Sequence, residues 1–135
     1  MRHRPLVPVR VLAAGTWLVD GHLDTGADDT VFPLWVAGVA GVNLMGAVTQ
    51  EIALAGRGRP VDARFVPVRL RITDGHETYE RTALIGFVPV PLRNGLLGHA
   101  GFLQYFNADF RGADHEVILM PNPKFPGQIQ QKTAP

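Results

Sequence analysis

The sequence predicts an all-β chain. The 15 glycines and 11 prolines are high for a helical protein and suit short strands and turns. The apolar stretches are rich in valine and isoleucine, as in Leu6–Leu12 and Val61–Ile72. Turn residues stand between them, at Ala14-Gly15, Gly56-Arg57-Gly58-Arg59-Pro60 and Asp74-Gly75.

Leu6 to Leu12 has the β-branched content of a strand, and Pro8, which lacks a backbone N–H, confines it to an edge or a strand end. Ala14-Gly15 turns the chain and Thr16 to Leu23 runs back, so that a hairpin delivers Asp24 to one edge. Pro33 suits the first turn of a short helix, Leu34 to Ala40, which Gly41 ends. Glu51 to Ala55 and Val61 to Ile72 form a long hairpin around the tip from Gly56 to Pro60. Its second arm changes phase: Val61, Ala63 and Phe65 share one face, while Val66, Val68, Leu70 and Ile72 share the other. That predicts a bulge or bend between Phe65 and Val66, the outer half projecting as a flap and the inner half joining the core. Tyr79 to Val90 holds one or two strands, buried over Ala83 to Val90. Gly95-Leu96-Leu97-Gly98 is apolar and boxed by glycines, and Leu103 and Phe106 give His99 to Phe106 a helical spacing. Asp109-Phe110 and Val117-Ile118-Leu119 are strands around Gly112. Four prolines and a polar end from Pro121 onward predict an extended arm or disordered tail, so the expected organisation is one domain over 1–120 and a tail over 121–135.

At 135 residues the chain is long enough to bury its own core without metals or disulfides. It has no cysteine, which removes disulfide frameworks and thiolate metal sites. The net charge is +1 and the arginines are spread along the chain, so no nucleic-acid partner is expected. His3, His22, His76, His99 and His115 have no metal-ligand spacing, and no metal or other cofactor is expected. No Lys-Ser or Lys-Thr follows the glycine pairs, so there is no phosphate loop, and the absence of serine excludes a serine hydrolase. Arg2, His3 and Arg4 precede an apolar stretch, but Pro5, Pro8 and Arg10 interrupt it as a signal peptide. Thr30 to Gln50 carries no charge and is long enough to span a bilayer, yet Pro33, Asn43 and its small residues favour a short buried helix followed by a loop. The expectation is a cytoplasmic protein with no membrane partner.

The richest chemistry lies in His22 to Phe32, which includes Asp24-Thr25-Gly26-Ala27-Asp28-Asp29. Asp24 supplies a titratable carboxyl, Thr25 a short hydroxyl that can lock the loop, and Gly26 a backbone that another chain can approach closely. Taken alone, Asp24 also suits an Asx-type turn, Asp28 and Asp29 a solvated turn, and Gly56 and Gly58 an ordinary hairpin. Leu23 through Val31, however, resembles the active-site segment of the retroviral aspartic proteases, the retropepsins, almost letter for letter. A glycine-bearing hairpin follows where that family puts its flap. Gly95-Leu96-Leu97-Gly98 resembles the family's second signature, and Arg4-Pro5-Leu6-Val7 resembles the start of some retroviral enzymes. The resemblance spans about residues 4 to 119.

The resemblance implies a single-lobe, closed β-barrel of the acid-protease type, with a flap hairpin and one or two short helices, acting as a homodimeric aspartic endopeptidase. Asp24, Thr25 and Gly26 would form the catalytic loop. Ala27, Asp28 and Asp29, with the flap residues Gly56, Arg57 and Gly58, would bind an extended peptide or protein substrate. Arg4, Leu97, Gly98 and His99 would support them. The chain holds one Asp-Thr-Gly and the chemistry needs two carboxylates, so the second must come from another copy. In retroviral members the second signature continues with an arginine that pairs with the aspartate matching Asp28, whereas here His99 and Ala100 follow Gly98. Histidine can replace that arginine fully only while protonated, so substrate binding is expected to weaken from about pH 6 upward. By the same resemblance, Arg4 supplies a compensating charge across the dimer interface. Two further readings stand beside the enzyme: a peptide-binding or scaffolding dimer without useful catalysis, and a retropepsin-like domain excised from a larger polyprotein.

Overall fold

The structure is a computed structural model that describes residues 2–3, 5–54 and 58–131. Its strands are β1 (Arg2–His3), β2 (Leu6–Leu12), β3 (Thr16–Leu23), β4 (Val31–Pro33), β5 (Val48–Ile52), β6 (Val61–Thr73), β7 (Glu77–Val88), β8 (Gly95–Leu97), β9 (Phe106–Arg111), β10 (Glu116–Pro121) and β11 (Gln128–Gln131). A single α-helix among the described residues, α1 (Leu34–Ala40), follows β4.

The hairpin of β2 and β3 has the expected bounds, in register from Leu6↔His22 to Leu12↔Thr16. Strand alternation sends Val7, Val9 and Val11 fully inside. β2 itself is not an edge strand, since it lies between β3 and β6. Pro8 is tolerated because β6 pairs only with Arg10 to Leu12, so the strand around Pro8 has β3 as its sole neighbour and is locally an edge.

The sheet runs β7, β4, β8, β3, β2, β6, and β6 pairs back onto β7 to close a mixed, six-stranded barrel. The β3–β8 and β4–β7 pairs are parallel and the others antiparallel. Closure leaves no free edge in the wall. Phe32, Phe87, Phe102, Leu70, Ile72, Ile85 and Leu97 fill the interior.

β6 shows the phase change without the bulge. Its register with β7 is one-to-one from Arg64↔Phe87 to Thr73↔Thr78, straight through Phe65–Val66. What changes there is the strand on its other side. β5 flanks the outer half, with Ile52↔Val61 through Val48↔Phe65, whereas β2 flanks the inner half at Arg69–Arg71. Ala63 and Phe65 therefore pack into a small cluster with Val31, Ile52, Leu54 and Val88, while Val68, Leu70 and Ile72 face the barrel core. The first arm also starts at Val48 rather than Glu51; Val48 to Glu51 are all exposed, so no alternation marks them in the sequence.

The uncharged stretch from Thr30 is divided among β4, α1 and β5, and no helix among the described residues is long and apolar enough to cross a membrane. α1 ends at Gly41, which takes the left-handed conformation (φ 75) and donates its N–H to the Ala37 carbonyl. Pro33 stands just before the helix, in extended conformation, rather than within its first turn. The second expected helix is reduced to a 3-10 turn at Leu103–Tyr105, because Phe106 already belongs to β9. β9 and β10 form a hairpin around a further 3-10 turn at Gly112–Asp114, and β1 adds to its other side. Past Pro121, Phe125 packs its ring 5.6 Å from Phe106 and 6.0 Å from Tyr79, and β11 then pairs antiparallel with Glu77–Glu80 of β7.

Candidate active site

β3 ends at Leu23 and hands the chain to Asp24, whose N–H donates to the Leu97 carbonyl of β8 (3.1 Å). The Asp24 carboxylate accepts the Gly26 N–H at 2.9 Å, and its main-chain carbonyl accepts the Ala27 N–H at 3.2 Å. The Asx-type turn and the loop that carries Asp24 are thus one object: the turn fixes the carboxylate's direction, and among the described residues its second oxygen has no hydrogen-bond partner. Asp24 is half-buried, while Thr25 and Gly26 are exposed.

The second glycine-boxed motif supports this loop by close backbone contact. A Cβ on Gly98 would lie 2.2 Å from the Asp29 carbonyl oxygen and 2.7 Å from that of Ala27, distances that only glycine permits. The closeness lets His99 N–H donate to the Ala27 carbonyl and Ala100 N–H to that of Asp28, both at 2.9 Å. Thr30, fully buried, donates its hydroxyl to the Ala100 carbonyl at 2.8 Å. Leu97 is also fully buried, packed under Gly21 of β3, where a Cβ would meet its side chain at 2.6 Å.

An open cleft of about 340 Å³ lies between this loop and the hairpin of β5 and β6. Asp24, Gly26, Ala27, Asp28 and Asp29 line one side of it. Gln50, Glu51, Ile52 and Leu54 line the other, and Val31 and Leu96 also border it. The sequence reading placed no substrate contact on these last six residues. The signal was present in the period-2 pair Ile52 and Leu54, an inward face on an otherwise exposed arm. Gly58 is exposed and does not line the cleft; Gly56, Arg57 and Arg4 lie outside the described residues.

Electrostatically, Asp29 stands apart: burial, and then the neighbouring charge of Asp28, raise its carboxyl above the usual aspartate range. The expected pairing of His99 with Asp28 is not made. The His99 side chain is exposed, and among the described residues no hydrogen bond or ion pair joins it to Asp28; the two segments meet through the backbone instead. The described residues also contain no group of three or more His, Asp or Glu placed to hold a metal ion.

No protein-family model and no curated protein matches the chain. Solved structures do. The retropepsin-like aspartic protease from Rickettsia conorii superposes with a TM-score of 0.55 at 18% identity, over 88% of this chain and 91% of that one. The retroviral protease-like domain of Ddi1 from Leishmania major gives 0.55 at 12% identity, over 90% and 97%. The EIAV protease, complexed with the inhibitor HBY-793, gives 0.50 at 19% identity, over 72% and 83%. At these identities the likeness is one of fold. The chain has the retropepsin-like fold, with its Asp-Thr-Gly loop bordering the cleft.

Proposed function

We propose that the protein is a homodimeric aspartic endopeptidase, hydrolysing peptide bonds with a water activated between Asp24 and Asp24 of the partner subunit. The observation that carries this reading is the Asp24 loop itself: a carboxylate aimed by its own turn, at the border of an open cleft, in a chain of retropepsin-like fold. Two carboxylates at hydrogen-bonding range cannot both ionise, so the pair shares one proton. The ionised member takes a proton from the water, whose oxygen attacks the scissile carbonyl carbon while the other member protonates the carbonyl oxygen. The tetrahedral intermediate then collapses, and the carbon–nitrogen bond breaks as the dyad returns a proton to the amine. Thr25 of each copy interlocks beneath the dyad, and Gly26 contacts the peptide backbone. Ala27, Asp28 and Asp29 hold the extended substrate from one wall, and the hairpin carrying Gly56, Arg57 and Gly58 closes over it from the other.

Cleavage of a mixed peptide library near pH 5, with Asp24→Asn as control, tests this directly. Asp24-dependent cleavage supports the enzyme. Binding without cleavage supports the second reading, a peptide-binding or scaffolding dimer, which is favoured because no ion pair from His99 to Asp28 is formed among the described residues.

A further inference from the structure

On β7, Tyr79, Arg81, Ala83, Ile85 and Phe87 alternate into the interior, and Arg81 takes its inward place with 2% of its surface exposed. No carboxylate pairs with it among the described residues. Its guanidinium lies over the rings of Phe102 (4.8 Å), Tyr105 (5.5 Å) and Phe106 (5.5 Å). Nη2 donates to the Gly101 carbonyl at 2.6 Å, while Nε and Nη1 have no hydrogen-bond partner among the described residues. Burial pushes the group down to about 10, which leaves it charged at neutral pH. A buried cation without a counter-charge is costly, and packing alone would be served better by methionine or leucine.

What Arg81 holds accounts for its place. Gly101 turns the chain at φ +91, where a Cβ would lie 3.0 Å from the Leu84 carbonyl oxygen and 3.3 Å from Thr30. Immediately before that turn, His99 and Ala100 hold the main chain of Ala27 and Asp28. Asp24, by contrast, is tied to Leu97 within the barrel wall.

We propose that Arg81 is a positioning residue for the peptide-binding half of the site. Its bond to Gly101 sets the His99–Ala100 segment, which in turn sets Ala27, Asp28 and Asp29, while Asp24 keeps its own tie to Leu97. The charged brace missing at position 99 is thereby supplied from β7. The consequence for catalysis rests on the peptidase reading; the backbone linkage does not.

Two variants test it. Arg81→Met keeps the apolar stem and removes the donor; Arg81→Lys keeps a cation over the rings and loses the planar fork. In Arg81→Met, amide exchange at His99 and Ala100 should rise about tenfold or more, with the β2–β3 hairpin unchanged. With peptide substrate, KM should rise about three- to tenfold while kcat per folded dimer stays within about twofold. Arg81→Lys should fall between Arg81→Met and wild type, and carries the same readouts if Arg81→Met does not fold. Exchange that accelerates equally across the barrel, or not at all at His99 and Ala100, would overturn the proposal, as would a loss confined to kcat. If the wild-type protein cleaves nothing, the peptidase reading fails, and the exchange pattern still decides the role of Arg81.

Discussion

One wall of the cleft, from Asp24 to Val31, is held along its length: Asp24 to Leu97, Ala27 to His99, Asp28 to Ala100, and Thr30 to both Gly86 and Ala100. The opposite wall, β5, is the last strand of its sheet, among the described residues pairs with β6 alone, and of its five residues only Ile52 is buried. On the proposed reading, the fixed wall carries the groups that reaction geometry must hold in place. The other wall hangs on one ladder and a small apolar cluster, so it can open locally without disturbing the barrel. On the proposed peptidase reading, a site that admits an extended peptide and then encloses it needs this division.

The contrast can be broken first at its chemical end. Asp24→Asn keeps the side chain's shape and its bond from Gly26, but removes the proton shuttle. Cleavage should fall by roughly 10²- to 10⁴-fold or more with the thermal midpoint little changed. Near-normal turnover in this variant would show that Asp24 is not the catalytic residue.

A smaller effect separates the two walls by a single methyl group. Gly98→Ala drives a Cβ into the carbonyls of Asp29 and Ala27, and should cost about 1–3 kcal/mol in chemical denaturation along with much of the activity. Gly58→Ala, on the hairpin, meets nothing within 4 Å and should change stability by no more than about 0.5 kcal/mol. Equal costs at the two positions would erase the distinction between a fixed and a free wall.

The smallest effect concerns Asp29, on the fixed wall. Burial and Asp28 raise its folded pKa above the unfolded value, so its favourable contribution to folding is complete below the ordinary aspartate pKa of about 3.9 and is lost as pH rises through the raised value. Asp29→Asn should match the wild type in urea midpoint near pH 3 and exceed it at pH 7. A gap that closes, or reverses, as pH rises would contradict the assigned burial.

The sequence was most legible where alternation and turn chemistry agree. Val7, Val9 and Val11 against Ala14-Gly15 specify the first hairpin, and Gly41 specifies the end of α1. It was least legible where partners, not patterns, decide. The phase change in β6 comes from exchanging β5 for β2, which composition cannot distinguish from a bulge. β11 pairs through its backbone, and its polar sequence gives no periodic signal. Leu103 and Phe106 have helical spacing that one 3-10 turn satisfies before β9 begins. In the candidate site, the turn at Asp24 and the close packing at Gly98 were readable from residue type, whereas the contact of His99 was not, because its backbone rather than its imidazole makes it. Arg81 could have been found: it is a charge at an inward position of the run Tyr79, Ala83, Ile85, Phe87.

The central claim is that one chain holds half a catalytic site. Specific activity measured across a dilution series, in parallel with sedimentation to give the dimer fraction, tests it most directly. The account predicts that activity per chain tracks the dimer fraction and vanishes as the protein becomes monomeric. Constant activity per chain in a monomeric preparation, abolished by Asp24→Asn, would contradict it.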